Sequence, residues 1–133
     1  MLSVGFPRAT VNLFVAQAAF ECGNRHFNSQ VARQDNNLTG INFINKPYQK
    51  NDTRGLAKPK SEGKAYYAHF LSIRDWAIDY KRILSFGSFP IDAKSPNDLA
   101  ERLKENSYFA SGETAYSNGV SIQYRAINSE LGI

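Results

Sequence analysis

The chain has 133 residues, 42% of them hydrophobic, a formal net charge of +4 and one cysteine. That length supports one domain, residues 1–133, with a real core, and is short for two; a lone Cys22 excludes both an intramolecular disulfide and a cysteine-rich zinc site. The charge favours an anionic partner, but Arg33, Lys46, Lys50, Arg54, Lys58, Lys60 and Lys64 are dispersed, with no zinc-finger or RNA-binding signature, so they read as a solvated face and not as a nucleic-acid footprint.

Residues 1–8 read as a leading arm, with Pro7 setting the start of a first helix capped near Ala9 or Thr10. Arg8 stands ahead of a segment interrupted by Asn12 and Gln17, which does not read as a signal peptide, and no run is long enough to span a membrane. Val11, Phe14, Val15, Ala18, Ala19 and Cys22 recur at helical spacing, and Gly23 stops the helix after about Cys22. Residues 23–35 are polar and predict a loop with room for one helical turn. Asn36 to Phe43 predicts a turn at Gly40 leading into a short extended piece.

From Asn45 to Lys64 the chain is basic, punctuated by Pro47, Gly55, Pro59 and Gly63, and without period: a long loop or a weak hairpin, and a candidate flap. Ser72 and Asp75 open a helix whose apolar face is Ile73, Trp76, Ala77, Tyr80, Ile83 and Leu84, ended by Gly87. Ser95-Pro96-Asn97-Asp98 is a cap, an N1 proline and an acidic first turn, with Leu99, Ala100 and Leu103 facing inward. A last helix follows Ser111 or Glu113, with Tyr116, Val120, Tyr124 and Ile127 on one side, although Gly119 weakens it. Four helices and one irregular polar segment make a mostly helical α+β domain.

On the first helix Glu21 falls at the edge of the apolar stripe, with Gln17 one turn below. A carboxyl group there can be partly desolvated and have its pKa raised. Taken alone, such a glutamate is more often an ordinary surface residue. Cys22 with His26, or with His69, has the residue types of a thiol peptidase or amidase, but Gly23 breaks the spacing and the apolar stripe favours an inert thiol. Cys22, His26 and Asp35 lack the spacing of metal ligands. Neither a metal nor another cofactor is expected.

Ala16-Gln17-Ala18-Ala19-Phe20-Glu21-Cys22-Gly23, followed by Asn36-Asn37-Leu38-Thr39-Gly40-Ile41-Asn42, resembles the paired motif of bacterial and phage glucosaminidases of glycoside hydrolase family 73. That family has an Ala-Gln-Ala-x-x-Glu-Ser-Gly helix and then an Asn-Asn-Leu-Phe-Gly-Ile segment. Tyr67 to Ser72 leading into Asp75 to Tyr80, and then Asn106 to Ala110 with Tyr116, are similar to its short strand, serine-capped helix and late tyrosine motif. The resemblance spans about Ala9 to Ile127. Cys22 stands for the usual serine, Asn24 and Arg25 for an aromatic and a glycine, and Thr39 for phenylalanine.

The resemblance implies a lysozyme-like fold with a small irregular or β-hairpin lobe, acting on the glycan strand of peptidoglycan. Glu21 would be the general acid, desolvated by neighbours such as Phe14 or Phe43. The second carboxylate would lie in the lobe, where Glu62 fits better than Asp52; failing both, the substrate's acetamido group would act, oriented by Tyr108. Gln17, Asn37, Gly40, Phe43 and Tyr116 would line the sugar subsites. The expected activity is that of an endo-β-N-acetylglucosaminidase on the bacterial cell wall, extracytoplasmic or virion-associated. The alternatives are a muramidase or lytic transglycosylase, or a catalytically weak or inactive wall-binding or virion structural domain.

Overall fold

The structure is a computed structural model that describes residues 1–23, 27, 29–47, 49, 53–58, 65–85, 90–106, 108–109 and 112–132, with Leu2 and Thr53 described by backbone only. A 3₁₀ turn at Leu2–Val4 leads into α1 (Val11–Glu21), α2 (Gln30–Asp35), β1 (Thr53–Ala57), β2 (Tyr66–His69), α3 (Ile73–Leu84), α4 (Pro96–Glu105) and α5 (Glu113–Leu131). This is a mostly helical α+β fold with a β-hairpin lobe. Among the described residues no helix is long and apolar enough to cross a membrane.

α1 is the central element. Leu13, Phe14, Ala16, Gln17, Ala18 and Ala19 are all buried, so the helix is covered around most of its circumference, more widely than the single stripe in its sequence predicts. Its alanines let neighbouring helices approach closely, and a helix apolar on nearly every side belongs in the interior. It packs along α5, which also holds α4. On another side, Phe14 meets Phe6 at 5.6 Å and Tyr80 of α3 at 6.4 Å between ring centroids. Gly119 has a specific use: a Cβ there would lie 2.2 Å from Cε2 of Phe20, so this glycine is what allows α5 to close on α1.

The capped starts of α3 and α4 follow their sequence signals. Ser72 Oγ accepts from the Asp75 N–H at 3.1 Å and Ser95 Oγ from the Asp98 N–H at 3.1 Å, with Pro96 in the first turn of α4. Two expectations need correction. Ile73 is 45% exposed, because the first turn of α3 projects beyond the core beside the still more exposed Leu71. The 23–35 segment contains α2, a fifth α-helix: Ser29 Oγ caps it through the Ala32 N–H at 3.3 Å, and left-handed Asn36 (φ 51°) ends it. Six residues are too few for periodicity to reveal. Gly87, expected to end α3, lies outside the described residues; the helix stops at Leu84 with Ser85 as its cap.

The 45–64 segment supplies β1, which pairs antiparallel with β2 in the register Thr53↔His69, Arg54↔Ala68 and Ala57↔Tyr66, with an irregularity between Arg54 and Ala57. Gly55 sits in that irregularity directly against Asp35, where a Cβ would fall 2.3 Å from Oδ2. The buried Asp35 carboxylate accepts the Leu56 N–H at 2.9 Å and meets His69 Nδ1 at 2.8 Å, so it seats the hairpin on the end of α2. The other edge of β2 pairs with residues 41–43, through the Asn42↔Tyr67 bridge and a 2.9 Å bond from the Phe43 N–H to the Tyr66 carbonyl.

Candidate active site

A cavity of about 1020 Å³ opens between the helices and the hairpin lobe. One wall is mainly helical: Phe20 and Glu21 at the end of α1, Arg82 and Ile83 of α3, and Tyr116 of α5, joined by Tyr108 and Phe109, which lie between α4 and α5 in the chain. The facing wall comprises Thr39 to Asn42, Ile44, Lys58 and Tyr67, with Ser29 and Val31 at one end. The volume is at the upper end of the roughly 300–1,000 Å³ typical of ligand sites, enough for more than one sugar ring.

Glu21 is exposed on its cleft side, while protein crowds it from behind. That crowding raises its pKa above the ordinary glutamate value, and a hydrogen bond from Tyr116 opposes the rise in part. The Tyr116 hydroxyl donates to Glu21 Oε1 at 2.5 Å and accepts from Gln17 Nε2 at 3.1 Å. Gln17 Oε1 in turn accepts from the Tyr80 hydroxyl. Burial, reinforced by the nearby Glu21 charge, raises the pKa of Tyr80, Tyr108 and Tyr116, so all three remain neutral at physiological pH. The ring of Tyr116 is fixed as firmly as its hydroxyl, stacked on Phe109 at 4.1 Å and met edge-on by Phe20 at 5.1 Å.

The residues expected at the site divide into three groups. Glu21, Gly40, Tyr108 and Tyr116 come together around the cavity. Gln17, Asn37 and Phe43 do not line it. Gln17 and Asn37 are fully buried, so neither can touch a substrate. Asn37 instead holds the cleft's turn in place: its Nδ2 donates to the Ile41 carbonyl at 2.9 Å and the Ala68 carbonyl at 3.0 Å, and its Oδ1 accepts the Ile41 N–H at 2.9 Å. Phe43 packs at the edge of the core. Glu62 and Asp52 lie outside the described residues, as does His26. Among the described residues, Glu21 is the one carboxylate lining the cavity.

The desolvating neighbours also differ from expectation. Phe14 is buried on α1 against Phe6 and Tyr80, and the cavity is walled instead by Phe20, Tyr108, Phe109 and Tyr116. Thr39 accepts a 3.0 Å hydrogen bond from the Trp76 indole, which gives a hydroxyl a use at a buried position where the resembling motif has phenylalanine. Arg82 is a further cleft residue, which no sequence signal marks as such. The buried Asp79 carboxylate grips it through Nε at 2.7 Å and Nη2 at 3.1 Å, an i,i+3 pair visible in the sequence only once α3 is known to border a cleft. On the facing wall Lys58 Nζ donates to Asn42 Oδ1 at 2.8 Å and lies 5.3 Å from the Tyr67 ring centre.

Thiol chemistry finds no support here. Cys22 is buried, and burial, with the charge of Glu21 adding to it, pushes its pKa up to about 12. Among the described residues no group of three or more His, Cys, Asp or Glu side chains is arranged to hold a metal ion.

No protein-family model matches the chain, and no curated protein does. Among solved structures the chain is similar to one in the structure of a type VI secretion system effector–immunity complex from Pseudomonas protegens. The TM-score is 0.61 at 17% identity, over 93% of this chain and 79% of that one, a likeness of fold alone.

Proposed function

We propose that the protein is a peptidoglycan hydrolase of the endo-β-N-acetylglucosaminidase type, with a lysozyme-like fold and Glu21 as general acid. The observation that carries this reading is a carboxyl group with a raised pKa, facing a sugar-sized cleft and bonded on one oxygen to a neutral tyrosine. A general acid must hold its proton near neutral pH, and desolvation achieves that. The ordered resemblance to family 73 glucosaminidases gives the substrate class. Lys58 on the facing wall presents positive charge to a polymer that carries carboxylates.

In this mechanism Glu21 protonates the glycosidic oxygen as the C1–O bond breaks. The second group is Glu62 in a two-carboxylate mechanism; failing a second carboxylate, the acetamido carbonyl oxygen of the substrate attacks C1 to form an oxazolinium ion. Water, deprotonated by the Glu21 carboxylate, then opens that ring and regenerates the acid.

Digestion of purified peptidoglycan by wild type and Glu21→Gln, with mass analysis of the released ends, tests the reading. Reducing N-acetylglucosamine ends, and a loss of about 10²–10⁴-fold in the variant, are expected. Reducing N-acetylmuramic acid would mean a muramidase, and anhydro ends a lytic transglycosylase. Equal rates in both proteins would remove Glu21 from the chemistry, and wall binding without turnover would identify a binding domain.

A further inference from the structure

Gln17 is a polar side chain with no exposure, in the middle of an otherwise apolar helix face. An unpaired amide there would be costly, and its bonds are complete in a directional way. The Tyr80 hydroxyl donates to Oε1, which fixes the NH₂ group toward Tyr116. The Tyr116 oxygen therefore accepts a hydrogen bond from Gln17 Nε2 at 3.1 Å, and its own O–H is aimed at Glu21 Oε1, 2.5 Å away. Three side chains from three helices thus form a one-way chain of donors that ends on one oxygen of the acid.

We infer that Gln17 is a positioning residue that commits the Tyr116 proton to Glu21 Oε1, so that the acid carries its own proton on Oε2 and delivers it from there to the glycosidic oxygen. This rests on the proposed role of Glu21. A neutral carboxyl group can bear its proton on either oxygen. With Tyr116 already donating to Oε1, a second proton on that oxygen would face the first, so Oε2 is favoured. Without Gln17, the Tyr116 oxygen is free to accept, and the neutral acid can turn its proton inward onto the tyrosine. The neutral form gains a partner and the reaction loses its proton.

The test is a carbon-13 NMR titration of the Glu21 carboxyl in wild type, Gln17→Met, Tyr116→Phe and the double variant, with kcat and KM on peptidoglycan measured in parallel. Tyr116→Phe should move the Glu21 midpoint up, Gln17→Met should move it up by less, and Gln17→Met should add nothing in the Tyr116→Phe background. Gln17→Met should lower kcat on the order of tenfold and leave KM nearly unchanged. Tyr80→Phe keeps the ring packing and releases the amide to flip. It should shift the midpoint in the same direction, and serves if Gln17→Met does not fold. An unmoved midpoint in both Gln17→Met and Tyr80→Phe, or additive shifts in the double variant, would overturn the inference. The titration needs no turnover: coupled shifts in a protein that cleaves no glycan would leave the donor chain standing and reject the glucosaminidase reading.

Discussion

The two walls of the cleft are built differently. The helical wall carries Glu21 on the central helix, behind it a linear chain of buried hydroxyl and amide groups, and around it three aromatic rings in contact, two stacked and one edge-on. The facing wall is a two-stranded hairpin with a bridging segment, whose Asn42 and Ile44 are exposed. Its attachment to the body runs through a few buried polar groups: Asn37 under the turn, and Asp35 under Gly55 and Leu56. Under the proposed function, proton transfer, which needs sub-ångström placement, falls to the wall with the most redundant support, and substrate contact to the wall with the least.

If this division holds, Asn37→Ala has the largest effect. It strips the turn of its staple, orphans the buried Ile41 N–H, and should cost about 2–3 kcal/mol in urea unfolding. Hydrogen exchange should speed up in residues 53–69 well before α1; equal loss in both would erase the distinction between the walls. Gly119→Ala strikes the other wall. The new methyl must displace Phe20 from the Tyr116 ring, costing about 1–3 kcal/mol, and kcat should fall more than KM changes.

Lys58→Ala should change stability by less than about 0.5 kcal/mol and raise KM for peptidoglycan severalfold with kcat intact. A kcat defect there would mean that the hairpin takes part in the chemistry. The smallest effect is a pH-dependent one. Because the folded-state pKa of Glu21 is raised, the native protein binds more protons than the unfolded chain between the ordinary value of 4.5 and the raised one, and stability falls as pH rises through that window. Glu21→Gln should therefore melt slightly higher than wild type at neutral pH, and the difference should close as pH drops below 4.5. A difference that does not vary with pH would show that the carboxyl is not desolvated.

The helical wall was legible in the sequence to the extent that its signals are local. Ser72, Ser95 and Pro96 announce helix starts through contacts three residues away, and Glu21 stands out by its place before Gly23. The meaning of Gln17 was not local. One turn below Glu21 it reads as a cleft residue, and only partners 99 and 63 positions away turn it into a buried amide. Asn37 misled in the same way, since a turn asparagine gives no sign that its side chain will be claimed by a carbonyl 31 residues on. α2 reads from the sequence as no more than a single turn because it is held by its cap and by Asp35, not by an apolar period. Phe20 and Phe109 fall within the motif segments that carry the resemblance, yet nothing in their spacing marks them as cleft residues until the cavity between the helices and the hairpin is in view.

Cys22, adjoining the acid and closed off from solvent, has a practical consequence. Held protonated by a pKa near 12, it offers no thiolate to an alkylating reagent or to a second molecule while α1 stays packed. It becomes reactive only when the end of that helix opens. The rate at which a maleimide captures this one sulfur is therefore a clock for the opening of the helix end that carries Glu21, readable on the unmodified protein without substrate.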